Sequence, residues 1–206
     1  MPRRPIVLLA VACLLIAIAL ALGTMVVIKG RNASGADRAT ATGQPLVGGN
    51  FTMVNQDGDT VDQSMLNGKW SLVFFGFTYC PDYCPTTLAV LDRVQKDLGD
   101  DAKDLQIIFV TVDPQRDTPQ MMKDYLSSEG FPQGVIGLTG TDEQVKATAK
   151  AYRAFYKKVG EGEAYTMEHT LTVYLMGPDG QFRTAVTHDL GPKRTVKLVQ
   201  DTMKRG

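Results

Sequence analysis

Two cysteines, Cys80 and Cys84, carry the clearest chemistry in this 206-residue chain. They follow a continuous apolar run, Trp70–Phe77, and precede residues with helical periodicity. In a helix, residues four apart have Cβ atoms about 5–6 Å from each other, so a small adjustment of the first turn lets the sulfurs form a disulfide or bind one metal ion. A helix N-terminus also favours the thiolate form that both reactions need. The pair therefore predicts either redox chemistry or a metal site.

The spacing of the pair leaves three interpretations. A structural Cys80–Cys84 disulfide would close a very short loop and stabilise the fold by only about 2 kcal/mol. Thiol–disulfide exchange enzymes usually have two residues between their cysteines, whereas this chain has three. One of the three, Asp82, opposes thiolate formation but attracts a cation, so we expect it beside a bound metal. Two thiolates with one imidazole suit copper(I), because a structural zinc site needs a fourth ligand.

The third ligand is expected from the sheet edge at which the cysteines lie. His169 precedes a predicted strand at 171–176, and if that strand is antiparallel to the buried strands, it begins at their carboxyl ends. His188, the second of the two histidines, is the other candidate. Asp113 follows the apolar run 105–112 and emerges at the same edge, so we predict that it supports the ligands from beside them.

Strands and helices alternate along the predicted domain. A turn at Asn55–Asp59 joins a short opening hairpin, and the runs Trp70–Phe77 and Leu105–Val112 predict buried strands around a helix that ends at Gly99. The later predictions are a helix beginning at Thr118-Pro119, an apolar run at 135–138, a helix from Asp142 to about Tyr156, an irregular segment at 157–167, a hairpin of 171–176 and 181–187, and a final helix from about Pro192. This order favours an α/β, thioredoxin-like fold with an N-terminal β-hairpin over a fully parallel doubly wound sheet.

An uncharged apolar run occupies residues 6–28. Its 23 residues, at about 1.5 Å each in a helix, are enough to cross the hydrocarbon core of a bilayer. The run is longer than the apolar stretch of a typical secretory signal, although Ala19-Leu20-Ala21 leaves cleavage open as the alternative. We therefore predict a single transmembrane helix at this position.

The basic residues Arg3 and Arg4 before this run favour an N-terminus that stays in the cytoplasm. The small, polar residues after it have the composition of a flexible linker. The expected organisation is a cytoplasmic N-terminus at 1–5, a transmembrane anchor at 6–28, a linker at 29–45 and a thioredoxin-like copper-binding domain at 46–206. We expect a single-pass protein of the bacterial cytoplasmic membrane whose domain faces the periplasm or extracytoplasmic side.

The charge distribution excludes one class of partner. Formal net charge is zero over the whole chain, while residues 32–206 carry 18 basic and 22 acidic residues, a net charge of −4. A nucleic-acid-binding domain normally has a basic face or stripe, and this sequence has none. We therefore expect no nucleic-acid partner.

Three motifs, in this order, resemble the Sco/SenC family of copper chaperones for cytochrome oxidase assembly. They are GFTYCPDYCP at Gly76–Pro85, VDPQRDTP at Val112–Pro119, and Glu168-His169-Thr170 leading to Gly177–Gly180. The resemblance extends from about Pro45 to the C-terminus. One departure is Glu168, where the family often has aspartate.

The resemblance implies a thioredoxin-like fold in which Cys80, Cys84 and His169 hold one copper ion, as copper(I) or copper(II). It implies delivery to the binuclear copper site of cytochrome c oxidase subunit II, or exchange with other copper chaperones. Family members divide between copper delivery and reduction of the cysteines of that site, so a periplasmic thiol–disulfide oxidoreductase is the alternative and enzymatic activity is left open. Thioredoxins have a proline where this chain has His169-Thr170, which argues against ordinary thioredoxin activity. A Cys80–Cys84 disulfide would abolish copper binding.

Overall fold

This computed structural model describes residues 47–206. A seven-stranded sheet forms the centre of this domain. The strands along the chain are β1 (Thr52–Asn55), β2 (Thr60–Asp62), β3 (Trp70–Gly76), β4 (Leu105–Thr111), β5 (Ile136–Thr139), β6 (Tyr156–Val159), β7 (Thr166–His169), β8 (Val173–Met176) and β9 (Phe182–Val186). The sheet has the order β2-β1-β5-β4-β3-β8-β9, and β6 pairs with β7 in a separate hairpin.

The middle of the sheet is parallel and its flanks are antiparallel. Strands β3, β4 and β5 run in the same direction, whereas β8 runs against β3 and β1 runs against β5. All seven residues of β3 are buried, as expected for an apolar run that is covered on both faces. Gly76 at the end of β3 lies opposite Thr111 at the end of β4, and Phe74 lies opposite Val173 at the start of β8. The ends of β3 and β4 and the beginning of β8 therefore meet at one edge.

Four helices cover the sheet: α1 (Tyr83–Leu98), α2 (Pro119–Leu126), α3 (Asp142–Ala151) and α4 (Gly191–Met203). Helix α1 packs against α4, α2 against β5, and α3 against β1. The predicted cap at Thr118 is confirmed, because its hydroxyl accepts a hydrogen bond from the Met121 N–H and Pro119 occupies the first turn. The thioredoxin-like α/β class and the opening β1–β2 hairpin are also as predicted.

Two predictions after residue 150 were wrong. The helix expected to reach Tyr156 ends at Ala151, and Arg153 has a positive φ of 55°, a conformation that a helix does not continue through. The segment 157–167, expected to be irregular, contains most of the β6–β7 hairpin, in which Tyr156 pairs with His169 and Val159 with Thr166. Alternation is weak there because β6 is YKKV, with two adjacent exposed lysines.

Both ends of the described chain lie at the sheet edge that is remote from the end of β3. The Gly48 N–H donates to the Ala151 carbonyl at the end of α3, 3.0 Å away. At the other terminus, Gly206 lies against the ring of Trp70, the first residue of β3. The described residues thus begin and end near the start of β3.

The predicted N-terminus at 1–5, anchor at 6–28 and linker at 29–45 lie outside the described residues and stay predictions. Among residues 47–206, no helix combines the length and the apolar character needed to cross a membrane.

Candidate metal centre

The two cysteines lie where β3 gives way to α1, in a segment that we call the cysteine loop (Phe77–Cys84). The Cys80 N–H donates to the Phe77 carbonyl in a tight turn, 3.2 Å away. Helix α1 begins at Tyr83, so Cys84 lies in its first turn, while Cys80 precedes the helix. The Cys84 N–H points back at the Cys80 sulfur, with 3.4 Å between nitrogen and sulfur. This N–H is one of the unpaired donors of a helix N-terminus, and it stabilises negative charge on that sulfur.

His169 joins the two cysteines from the last position of β7. The Cys84 Sγ and the His169 Nε2 are 3.6 Å apart, and the three potential ligand atoms lie within 4.8 Å of one another. Cys84 is fully buried, Cys80 is 9% exposed and His169 is half-buried. Both thiols are free. The structure thus brings together the three residues that the sequence singled out.

The imidazole of His169 is held in one orientation. Its Nδ1 donates to the Thr170 carbonyl, 3.0 Å away, which leaves the Nε2 lone pair directed toward the thiols. Its ring meets Phe77 edge-on, with 5.7 Å between centroids, and Phe74 at 6.2 Å. A hydrogen bond of this kind to the non-coordinating nitrogen is the usual arrangement for a metal-binding histidine.

The two thiols differ in acidity because one donates to the other. The S–H of Cys84 donates to the Cys80 sulfur, and this bond, against burial, lowers the pKa of Cys80 to about 4; the backbone N–H groups of Cys84 and Asp82 add to the lowering. The same bond, together with burial, raises the pKa of Cys84 well above its ordinary value. The pair therefore holds one thiolate and one shared proton at neutral pH, and a soft cation can replace that proton.

Asp117 has a role at the site that was not predicted from the sequence, although the residue lies in one of the quoted motifs. It is fully buried, and its carboxylate accepts hydrogen bonds from the Thr78 N–H (3.1 Å), the Thr78 hydroxyl (2.6 Å) and the Thr111 hydroxyl (2.6 Å). Burial raises its pKa. Because Thr78 opens the cysteine loop, Asp117 ties that loop to the end of β4. Its place in the VDPQRDTP motif was the available signal, but the helix cap at Thr118 gave that motif an explanation of its own.

Asp113, predicted beside the ligands, is buried but bonds elsewhere. Its carboxylate accepts from the Tyr165 hydroxyl (2.6 Å) and forms an ion pair with Arg116. Among the described residues, the group that can hold a metal ion comprises the two cysteines and His169 without Asp113 or Asp82. Asp82 is the exposed N-cap residue of α1, and its carboxylate accepts no hydrogen bond from the N–H groups of the first turn.

His188, the other candidate ligand, lies near the site but outside this group. Its ring meets Tyr83 edge-on, with 5.5 Å between centroids, and both rings line a narrow apolar cleft between α1 and the start of α4. Because Tyr83 is the neighbour of Cys84, His188 lies at the same end of the sheet as the cysteines, as expected. Its ring is nevertheless outside the group of potential ligands, which contains His169.

The centre opens to solvent through a cavity of about 340 Å³. Its lining includes Cys80, His169, Tyr83, Met167 and Glu168. Cys80 and His169 therefore face this cavity, whereas the fully buried Cys84 is not part of its lining.

Most of the exposed large apolar side chains lie next to residues of the candidate metal centre. Of the four such residues in the described part of the chain, Tyr79 precedes Cys80 and Tyr83 precedes Cys84. Phe155 is joined by two hydrogen bonds to Thr170, next to His169: its carbonyl accepts from the Thr170 N–H, and its N–H donates to the Thr170 hydroxyl. Tyr79 is 57% and Phe155 is 59% exposed. Exposed aromatic residues at a functional edge are typical of surfaces that other proteins contact.

Fold and site together define a thioredoxin-like domain with a candidate metal centre of two cysteines and one histidine. The chain belongs to the SCO1/SenC family, whose model matches residues 39–204.

Individual relatives agree with this membership. The chain is 37% identical over 150 residues to the mitochondrial SCO1 homologue of Homo sapiens, which covers 71% of this chain and 49% of that protein. It spans about half the length of the first curated relatives that it matches. The structure of Bradyrhizobium japonicum ScoI with copper bound is similar at a TM-score of 0.69 and 38% identity, covering 76% of this chain and 99% of that one. BsSco, described as a Sco-family cytochrome c oxidase assembly protein with a disulfide switch, is similar at a TM-score of 0.60 and 28% identity, covering 76% and 92%.

Proposed function

We propose that this protein is a membrane-anchored copper metallochaperone that binds one copper ion through Cys80, Cys84 and His169. It delivers that ion to, or prepares, the copper site of cytochrome c oxidase subunit II. The observation that carries the proposal is the convergence of two free thiols and a preoriented imidazole within 4.8 Å at an open sheet edge. The copper-bound relative ScoI and the oxidase-assembly relative BsSco support the choice of metal and of recipient.

The donor set fits copper and the exchange of copper. Two sulfurs and one nitrogen are soft to borderline ligands that suit copper(I), and the three-ligand arrangement leaves a coordination position for an incoming ligand of a recipient. Asp82 and Glu168 stand exposed at the mouth, where their charge attracts a cation. The fully buried Cys84 retains the ion while Cys80 and His169 face the opening.

A copper titration of the reduced full-length chain tests the proposal. We expect one equivalent to bind, binding to disappear after oxidation of the pair, and Cys80→Ser to abolish tight binding because one of two thiolates is lost. The matched control is Cys13→Ser, which changes the third cysteine of the chain, outside the described residues. Retained affinity in Cys80→Ser or Cys84→Ser would remove these residues from the site.

The role of His169 is tested separately from that of the thiols. His169→Ala should weaken copper(II) more than copper(I), because imidazole is the borderline nitrogen ligand and copper(I) is satisfied by two thiolates. His188→Ala is the matched control, since that ring contacts Tyr83 and lies outside the ligand group. Equal losses for the two oxidation states would contradict the assignment.

The anchor is the part of the proposal that rests on sequence alone. A single helix at 6–28 in a bacterial cytoplasmic membrane would confine the domain near a membrane-bound recipient and raise their effective concentration. We expect the full chain to stay in the membrane fraction after alkaline carbonate extraction and a chain without residues 1–28 to leave it. Extraction of both forms would exclude a spanning anchor.

A second candidate function, reduction of the cysteines of the oxidase copper site, is favoured by the acidity of Cys80. A pKa of about 4 makes this sulfur a thiolate at neutral pH, and thiolates attack disulfides. Alkylation of Cys80 should then proceed with a rate that is constant above about pH 5 and falls as pH drops through about 4. In Cys84→Ala the rate should instead follow a higher pKa, because the leading cause of the lowering, the hydrogen bond donated by Cys84, has been removed. Turnover of a disulfide substrate without copper would make reduction the primary function; its absence would leave copper delivery.

A further inference from the structure

Arg116 lies between the two parts of the metal centre. Its guanidinium carbon is 3.7 Å from the ring centre of Tyr165, which directly precedes β7, and 4.7 Å from that of Tyr79, which directly precedes Cys80. Its Nη1 donates to the Tyr165 carbonyl, 3.1 Å away. One side chain therefore contacts both the cysteine loop and the residue that directly precedes β7, the strand that carries His169.

Buried groups fix Arg116 and Tyr165 in this position. Asp113, at 3% exposure, forms an ion pair with Arg116 and accepts the Tyr165 hydroxyl at 2.6 Å. The Lys158 ammonium from β6 contacts the same tyrosine ring, 3.6 Å from its centre. The phenol ring is thus in contact with two cations, and its hydroxyl is anchored to a carboxylate. The contacts to Asp113 are stronger than their exposed equivalents because that carboxylate is buried.

We propose that Asp113, Arg116 and Tyr165, the Arg116 clamp, set the distance between His169 and the two thiols, with Tyr165 as the positioning residue. The inference rests on the proposed copper function. His169 is four residues after Tyr165 at the far end of β7, and its strand partner is the short β6. The Phe155–Thr170 bonds, the His169 ring on Phe74 and Phe77, and Met167 against the core hold the far end of this hairpin, while the clamp holds the end at which β7 begins. None of the three clamp residues belongs to the ligand group, and Tyr165, on the same segment as His169, acts on copper through that histidine.

Hydrogen exchange of the copper-free, full-length chain tests the structural half of the proposal. Tyr165→Leu removes the ring and the hydroxyl and should speed exchange of the β6–β7 amides about ten-fold, while β3 stays protected. Tyr165→Phe keeps the ring between the cations and should restore most of the protection. The control is Phe155→Leu, which removes an exposed aromatic ring beside the same hairpin without touching its backbone bonds.

Copper affinity tests the functional half. Tyr165→Leu should weaken copper(II) about ten-fold, as supporting partners of metal ligands typically do, and copper(I) by less than about three-fold. The absorption spectrum of the copper(II) form should shift toward that of His169→Ala. In the double variant Tyr165→Leu/His169→Ala, copper(II) should bind as weakly as in His169→Ala alone, because the clamp has no ligand left to position.

The possible outcomes separate the clamp from the proposed function. Unchanged exchange in Tyr165→Leu, or losses that add in the double variant, would overturn the clamp even if copper binds. Absence of copper binding by the parent chain would overturn the proposed function, while the exchange result would still decide whether the clamp holds the hairpin. Should Tyr165→Leu not fold, Arg116→Lys replaces it: this change keeps the charge, loses the planar fork, and should loosen the hairpin to a smaller extent.

Discussion

The cysteine loop and the β6–β7 hairpin supply the metal centre from opposite sides, and they differ in how much of the protein holds them. The loop continues from β3, which is buried along its whole length between β4 and β8. The buried Asp117 carboxylate accepts a hydrogen bond from Thr78 and so holds the start of the loop. The hairpin is a separate two-stranded unit whose β6 presents Lys157 and Lys158 to solvent. The two sulfurs are therefore fixed by the core, whereas the imidazole is fixed by a few polar and aromatic contacts.

This difference fits the proposed function, in which the centre binds an ion and passes it on. Thiols with fixed positions suit soft copper(I), while a nitrogen ligand on a less tightly held hairpin can adjust to a change of oxidation state or to an incoming ligand. The contrast leads to three predictions in addition to those above, and each would break or sharpen it.

The largest effect is expected at Asp117. Asp117→Ala leaves one buried and two partly buried donors without their acceptor and should lower the free energy of unfolding by about 3 kcal/mol. Urea unfolding measures the change, and Asp201→Ala, an exposed aspartate in an ion pair with Lys197, should leave stability unchanged within error. A loss as small as the control's would mean that the cysteine loop does not depend on this carboxylate.

Gly76, the last residue of β3, should give an intermediate effect. A Cβ at this position would lie 2.8 Å from the Cys84 sulfur and equally close to the Phe109 ring, so Gly76→Ala overpacks the core by about 2 kcal/mol and displaces one ligand. Copper affinity should fall together with stability. Gly137→Ala is the matched control, because its Cβ would meet Leu126 and Met122 at a similar distance, away from the cysteines. If both variants lost affinity equally, general destabilisation and not displacement of Cys84 would be the cause.

The smallest effect is expected on the hairpin side. Thr170→Val preserves shape but removes the hydroxyl that accepts the Phe155 N–H at 2.8 Å, and should reduce the free energy of unfolding by about 1 kcal/mol. Exchange of the β6–β7 amides should accelerate without a change in β3, as measured by mass spectrometry. Acceleration in both regions would show that the hairpin and the core open as one unit, against the contrast drawn here.

Patterns of apolar residues were enough to predict the part of the site that belongs to the core. The run Trp70–Phe77 has too few polar residues for any location except a central strand, and cysteines that follow such a strand emerge at its carboxyl end. His169 was predicted from the direction of the next strand, although that strand begins at Val173, later than expected. The ligand residues were accessible because strand direction alone decides which edge they reach.

The hairpin and the Arg116 clamp could not be predicted in the same way. The YKKV sequence of β6 shows no alternation, and the turn that ends α3 depends on Arg153 adopting a positive φ that its residue type does not favour. Arg116 and Tyr165 are 49 residues apart, and their contact is set by the tertiary fold. Ion pairs and stacked rings between distant segments leave no periodic signal in a sequence.

The location of the two ends of the described residues has a practical consequence. Gly48 and Gly206 lie at the end of the sheet where β3 begins, and the candidate ligands lie where it ends, about 23 Å away for a strand of seven residues. A tag or a surface attached after Gly206 therefore meets the described domain at the end opposite the candidate ligands, and the edge that carries them is left free.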